Sequence, residues 1–332
     1  MPSLYCIHPG NVTKHKTALE HFLKRYPPKV FEQTLTSLYS ERFRGNSFAI
    51  WVHEDEEDGG IDGILPLVRE DFSLFSRYQT WGSLGVIPTD EFVDAVKKKL
   101  GPLCVYISLN EMGEEEERTI PDKDRNPDHA VTFIFPFPGK NEEDMWTQDL
   151  QKESRNLVRK AKKNGLTTEF IKGVDSVDQL GEFYRLYEER MERFGSPAYP
   201  IDYFTYLFSE CEESFLCLVR HDKEVVASAV MIGHGNRLAN PYAAAKREAL
   251  NLAPNNMLYW EMLRFGLEHQ YELFDMGPSL PDDPVAKFKR SMGGVIRPYE
   301  TRVVVSHLLY GLFRLTRKML SKLKRLGSSS RQ

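Results

Sequence analysis

Asp275 stands two residues before Gly277 at the end of the apolar run LFDMG, and the next stretch, DPVAKFKRSM, carries Lys287, Lys289 and Arg290. An acid ending a buried strand lies where a sheet commonly presents ligand groups, so its carboxylate could orient an amine or take its proton. Its plainer role is to cap the loop that follows. The three cations either aim at a developing negative charge or share a solvated helix face. Upstream, Arg190 and Arg193 fall on one helix face of FYRLYEERMERFGSPAYP, with Tyr199 close behind. A planar guanidinium donates two hydrogen bonds to a phosphate, although Glu189 and Glu192 offer these arginines ordinary ion pairs. Arg155, Arg159 and Lys163 recur one turn apart, with Lys160 and Lys162 between them. Such a stripe either follows the phosphates of a polyanion or faces water.

Other chemistries drop out. None of the nine histidines has H-E-x-x-H spacing, and no G-x-S-x-G elbow is present. Cys6, Cys104, Cys211 and Cys217 are scattered without a C-x-x-C pair, which argues against a zinc site or a disulfide framework and fits a reducing compartment. Gly233-x-Gly235 is a hairpin turn rather than a phosphate loop. The N-terminus lacks the apolar core of a signal peptide, and the apolar run Val303–Phe313 is too short to span a bilayer of roughly 30 Å. A soluble, cytoplasmic protein is expected. At 332 residues and 41% hydrophobic it is long enough for about two domains. Its net charge of -4 is unevenly spread: residues 301–332 hold eight Lys or Arg and no acid, leaving 36 basic against 48 acidic side chains elsewhere. A basic tail on an acidic body points to a polyanionic surface.

These residues need elements to hold them. SFAIWVHE, IDGILPLVRE, LCVYISL and AVTFIFPF are strand-like, and residues 113–129 make a polar, acid-rich loop. PFPGKN breaks the pattern near residue 140. Asn141–Asn164 is expected as one helix with Trp146, Leu150, Leu157 and Ala161 on its buried face, stopping at Gly165. Ser176 with Gln179 forms a capping box for the next helix. FLCLVR, EVVASAVMIG and RLANPYAAA form an antiparallel meander, feeding a helix that follows Pro254-Asn255-Asn256, then strand LFDMG, helix DPVAKFKRSM and strand VIRPYETRVVV. A terminal helix places Leu312, Leu315, Met319, Leu323 and Leu326 on one side and Arg314, Arg317, Lys318, Lys322 and Arg325 around the rest. That is the composition of an interfacial helix, although most amphipathic helices dock on their own domain.

The segments GILPLV, SRNLVRKAKKNGL, FYRLYEERMERFGSPAYP, NPYAAA, PNNMLYWEML, FDMG and FKRSMGG occur here in one order. That order, over about residues 60–300 and most specifically in the second half, resembles the FemAB-like acyltransferases. The chain lacks the long helical arm of some members and looks closer to the branch found beside exopolysaccharide and exosortase gene clusters. The resemblance implies an α/β (α+β) fold of two GNAT-type domains in tandem, with mixed sheets flanked by helices. They would be a degenerate one over 1–140 and a BioF2/FemAB-like one over 141–305, before the basic amphipathic tail 306–332. It implies transfer of an aminoacyl or other acyl group to an amine of a peptidoglycan or exopolysaccharide precursor. Lys289, from the family's Phe-Lys pair, would be the catalytic cation beside Asp275. Arg193, Tyr199, Tyr242 and Phe288 would line the substrate cleft, and Arg155, Arg159 and Lys163 would meet phosphate or tRNA.

No resident cofactor is implied. The donor is aminoacyl-tRNA, or acyl-CoA as the weaker choice, because KREALNLAPNN holds no glycine where CoA-using GNAT proteins carry a glycine loop. The partners implied are a nucleotide- or lipid-linked envelope precursor, charged tRNA and, through residues 308–326, the inner face of an anionic membrane. The competing readings are a CoA-dependent N-acyltransferase and a non-catalytic membrane-surface adaptor.

Overall fold

In a computed structural model the described residues are 3–55, 59–72, 75–101, 103–110, 131–173, 177–280, 283–298, 301–313 and 315. The acid-rich stretch 113–129, Ser176 of the expected capping box and the cationic chain beyond residue 315 lie outside them. In chain order come β1 (Ser3–Ile7), α1 (Val12–Arg25), α2 (Leu35–Ser40), β2 (Ser47–Glu54), β3 (Ile61–Phe72), β4 (Phe75–Thr80), β5 (Leu84–Gly85), α3 (Thr89–Lys99), β6 (Cys104–Leu109) and β7 (Val131–Pro136). Then follow the single turn α4 (Glu142–Asp144), α5 (Lys152–Lys163), β8 (Leu166–Lys172), α6 (Val177–Arg193), α7 (Ile201–Glu210), β9 (Ser214–His221), β10 (Glu224–His234) and β11 (Arg237–Ala245). The last elements are α8 (Pro254–Glu268), β12 (Leu273–Ser279), α9 (Pro284–Ser291), β13 (Val295–Pro298) and β14 (Thr301–Val304). Residues 307–313 are helical as well.

The elements form two compact units, one of Met1–Pro28, Gly45–Glu111 and Glu300–Gln332, the other of Lys29–Arg44 and Met112–Tyr299. The first is a sheet in the order β1-β2-β3-β4-β6-β14, with β5 on β3. Alternation along β3 and β6 puts Leu65, Leu67 and Ile107 against Phe92, Val93 and Val96 of α3. The helix α1 buries Val12, Leu19 and Phe22.

The second unit is a sheet in the order β13-β7-β12-β11-β10-β9-β8 with a core on each face. One core joins Phe133, Phe135, Leu238 and Phe274 to Val158, Leu258, Met262 and Ala286 of α5, α8 and α9. The other joins Leu216, Leu218, Val230 and Ile232 to Phe183, Tyr187, Phe204 and Leu207 of α6 and α7. Covered on both sides, β10 is buried from Val225 to Gly233, which explains its unbroken apolar sequence. Gly266 lets α8 approach the chain after β7: a Cβ there would meet Phe137 Cζ at 2.6 Å. Gly266→Ala gains up to about 1 kcal/mol of helix propensity but loses roughly 1–3 kcal/mol to overpacking, so a net fall in the denaturant midpoint is expected.

Three sequence expectations change. The residue-140 break is not where the sheets divide, because β7 already pairs with β12 and β13 of the second unit, and residues 29–44 belong to that unit as well. The helix expected over 141–164 is interrupted by a π-turn at Met145–Asp149 and by extended backbone at Leu150. The interruption re-phases α5, so Ser154, Val158 and Ala161 are buried while Leu157 is 38% exposed. VIRPYETRVVV is two strands, β13 paired with β7 and β14 with β6. Among the described residues, no helix is long and apolar enough to cross a membrane.

Candidate functional site

Parallel strands β11 and β12 pair only through Arg237–Ala239 against Leu273–Asp275. Beyond that point β11 runs on to Ala245 and β12 to Ser279, so the strands part and leave a wedge in the sheet. Register shifts in β10 at Val230/Ile232 and in β12 at Asp275/Pro278 accompany the parting. A bulge adds local twist and bend, which drives neighbouring strand ends apart. In the first unit the parallel pair β4–β6 stays closed to Thr80–Leu109, and the Asn110 N–H donates to Thr80 O at 2.7 Å. The wedge of the second unit is therefore the candidate site.

Its floor is built on Asp275, which is 5% exposed. Oδ1 accepts from Thr132 Oγ1 at 2.7 Å and from the Gly277 N–H at 2.8 Å, and Oδ2 accepts from Arg237, also buried. Both oxygens are thus engaged, so the carboxylate braces the strand end instead of standing open to an incoming amine. Glu32, on the 3₁₀ turn Phe31–Gln33, senses Arg237; burial pushes its carboxyl up and Arg237 pulls it back. Gly277, at φ +80°, holds a backbone conformation that side chains resist.

The Gly277 carbonyl accepts from Lys289 Nζ at 2.8 Å, as do Ser279 Oγ at 2.9 Å and Pro278 O at 3.2 Å. The sequence places this lysine by local rules. Asp283 caps α9 through the Val285 N–H at 2.9 Å, Pro284 opens the helix, and Gly293 closes it at φ +85°. Lys289 is buried and lies 5.7 Å from the Phe133 ring. Burial lowers its pKa to about 8, while Asp275 acts to raise it and Arg190 to lower it further. The neighbouring Phe288 packs edge-on to Tyr259 at 4.9 Å, within the core.

Tyrosines wall the wedge. Tyr242 of β11 shares a 2.8 Å hydrogen bond with Tyr203, and Tyr199 stands edge-on to Tyr242 at 6.0 Å. Burial raises both Tyr203 and Tyr242, so their hydroxyls stay protonated at neutral pH. Arg190 donates to Ala243 O on β11, and burial lowers its pKa. The expected Arg193, at the last residue of α6, is exposed. Arg190 continues the buried face of Phe183 and Tyr187 at helical spacing, a signal present in the sequence. Arg44 carried no such signal. It lies 4.6 Å above the Tyr199 ring, held by Glu41 at 2.8 Å.

The stripe on α5 is divided. Arg155 donates to the carbonyls of Leu150 at 2.5 Å, Thr147 at 3.1 Å and Trp146 at 3.3 Å, which closes the π-turn. Arg159 is exposed and stacks on Trp146 at 5.1 Å, and Lys163 is exposed. Between β11 and α8, where a glycine loop would lie, the chain makes a 3₁₀ turn at Arg247–Leu252 and a left-handed Ala253. Among the described residues, no group of three or more His, Cys, Asp or Glu side chains is placed to hold a metal ion.

Residues 148–290 match the family profile described as an acetyltransferase (GNAT) domain. No curated protein matches the chain in sequence. Among solved structures, FemX is similar over 93% of this chain and 99% of its own, at 16% identity and a TM-score of 0.63. L-PGS from Bacillus licheniformis is similar over 91% and 96%, at 15% identity and a TM-score of 0.55. A tandem GNAT protein from the clavulanic acid biosynthesis pathway is similar over 92% and 99%, at 11% identity and a TM-score of 0.53. Residues 148–290 thus carry a GNAT domain around the wedge, the chain shares its fold with FemX and with the tandem GNAT protein along nearly its whole length, and the protein is an acyltransferase.

Proposed function

We propose that the wedge transfers an aminoacyl group, or another acyl group held as an ester, to an amine on a cell-envelope precursor. The observation that carries this reading is the buried Lys289 at the parted strand ends. When the amine nitrogen attacks the ester carbon, the carbonyl electron pair moves to oxygen. Collapse of that intermediate breaks the ester C–O bond, and the proton lost by nitrogen goes to the departing oxygen. A fixed positive charge near the oxyanion supplies several kcal/mol. Lys289 acts there through its charge, since its three N–H groups already donate to Gly277 O, Pro278 O and Ser279 Oγ, with Tyr242 and Tyr199 along the wall. Asp275 holds Gly277 and Arg237 in place, and so positions Lys289 through the Gly277 carbonyl. Phe288 supports the helix that presents the lysine.

Arg44 and Arg190 suit the phosphates of a nucleotide- or lipid-linked precursor. The exposed Arg159 and Lys163 suit the backbone of a charged tRNA. The 3₁₀ turn in place of a glycine loop favours such a donor over acyl-CoA. Acyl-CoA remains the second reading because α8 begins at Pro254 without a side-chain cap, which leaves N–H groups to face an anion.

Thermal shift at matched salt tests the donor, since a ligand at a hundred times its dissociation constant adds about 2.7 kcal/mol to the folded state. Charged tRNA and a nucleotide-linked muramyl-peptide are expected to raise the melting temperature while acetyl-CoA does not; a shift with acetyl-CoA alone overturns the donor assignment. Removing a hydrogen bond to a charged group costs about 1.5–3 kcal/mol. Arg190→Ala and Arg44→Ala are accordingly expected to raise KM for a phosphate-bearing acceptor roughly 10- to 100-fold with kcat little changed.

A further inference from the structure

The helix at residues 307–313 has two apolar sides, and one of them is spent on the fold. Leu309, Tyr310 and Phe313 pack with Phe75, Val105 and Tyr106 of the first unit. The Tyr106 ring meets those of Tyr310 and Phe313 edge-on at 5.7 and 5.9 Å. The other side is not covered: Leu308 is 77% exposed, Leu312 45% and Leu315 60%. These three recur at steps of four and three, one helical face. The same spacing continues in the sequence through Met319, Leu323 and Leu326, with Arg314, Arg317, Lys318, Lys322, Lys324 and Arg325 between them and no acid from 301 to the end.

We infer that the outward leucine stripe, Leu308, Leu312 and Leu315, together with the cationic chain that follows, seats the protein on an anionic lipid surface. Leucines alternating with cations match a bilayer interface, where acyl chains take the apolar side and acidic headgroups the charges. Nucleic acid would satisfy the cations but not the leucines. A second copy would bring an equally cationic segment against the first, and like charge opposes that pairing. The stripe belongs to the first unit and the strand wedge to the second, so the stripe serves to place the enzyme rather than to carry out its chemistry.

The test is flotation of the full chain with phosphatidylcholine vesicles and with vesicles also containing phosphatidylglycerol, at physiological salt. The wild-type chain is expected to float with the anionic vesicles only, and Leu312→Glu/Leu315→Glu to lower the bound fraction about tenfold or more. The variant's melting temperature should match the wild type, because neither side chain belongs to the docked cluster. No flotation of the wild type overturns the inference. So does binding that survives the leucine changes but is displaced by tRNA, which would make the segment a nucleic-acid site. Sedimentation as a dimer that the leucine changes dissociate would make the stripe a contact between copies and would equally overturn it.

Discussion

Lys289→Met is expected to slow transfer by about 10²–10³ and at the same time stabilise the protein at neutral pH. Lys289 is almost fully buried, and its pKa falls from 10.5 to about 8 because burial disfavours the charged form. At 1.36 kcal/mol per pH unit, holding the ammonium in the folded state costs about 3 kcal/mol. Methionine removes that cost but leaves Gly277 O, Pro278 O and Ser279 Oγ without their donor. Leaving those acceptors unpaired offsets part of this, so the net gain should be on the order of 1–2 kcal/mol. The loss of the oxyanion's partner should lower kcat by about 10²–10³.

The pH dependence has a fixed sign. Below about 8, folded and unfolded chains both carry the charge and the cost is complete. Between about 8 and 10.5 the unfolded chain binds more protons, so wild-type stability rises with pH relative to the variant, by about 2.5 kcal/mol at pH 10; the gap closes and the order reverses. Urea denaturation at pH 7 and pH 10 measures the gap. A variant less stable than wild type at pH 7, with no change in the difference by pH 10, would show that Lys289 is not a costly buried cation. Wild-type turnover should also decline above pH 8 as the lysine loses its charge.

The second large effect concerns Asp275. Asp275→Ala removes the carboxylate to which buried Arg237 and the Thr132 hydroxyl donate, and breaking such a pair from one side costs about 3–5 kcal/mol. Replacing both partners, as Arg237→Met/Asp275→Leu, should cost less than the sum of the single changes, since each single change breaks the same ion pair. Asp275→Asn separates bracing from proton transfer. The amide oxygen can still accept from Thr132 and the Gly277 N–H, while the amide nitrogen faces Arg237 and costs stability there, so the folded fraction should keep kcat within about tenfold. Loss of a general base would instead cost about 10²–10⁴. A drop of that size in a protein that remains folded would restore Asp275 to the chemistry.

Motif order from GILPLV to FKRSMGG was enough to name the fold class, and local rules were enough to place Lys289. A cap at Asp283, a proline at 284 and a glycine at 293 define α9 within one short stretch. Tyr242 was legible for the same reason, since its strand is the return arm of a local hairpin. Short-range pairing and capping depend on neighbours in sequence, so the sequence displays them.

The rest depended on partners far away in the chain. That Arg190 rather than Arg193 enters the wedge follows from where α6 ends over the sheet. Arg44 reaches Tyr199 because residues 29–44 pack with a unit whose sheet begins at β7. Asp275 is engaged rather than open because Thr132 and Arg237 come to it from strands 143 and 38 residues distant. The docked side of the terminal helix was Leu309/Tyr310/Phe313, chosen by the surface of Tyr106 rather than by the helix's own periodicity. The sequence by itself determined the order of most elements and the chemical types of residue carried at the ends of β11, β12 and α9. Tertiary structure alone decided which of those residues are buried, which are already engaged and which strands part, because those outcomes depend on long-range pairing that local spacing does not encode.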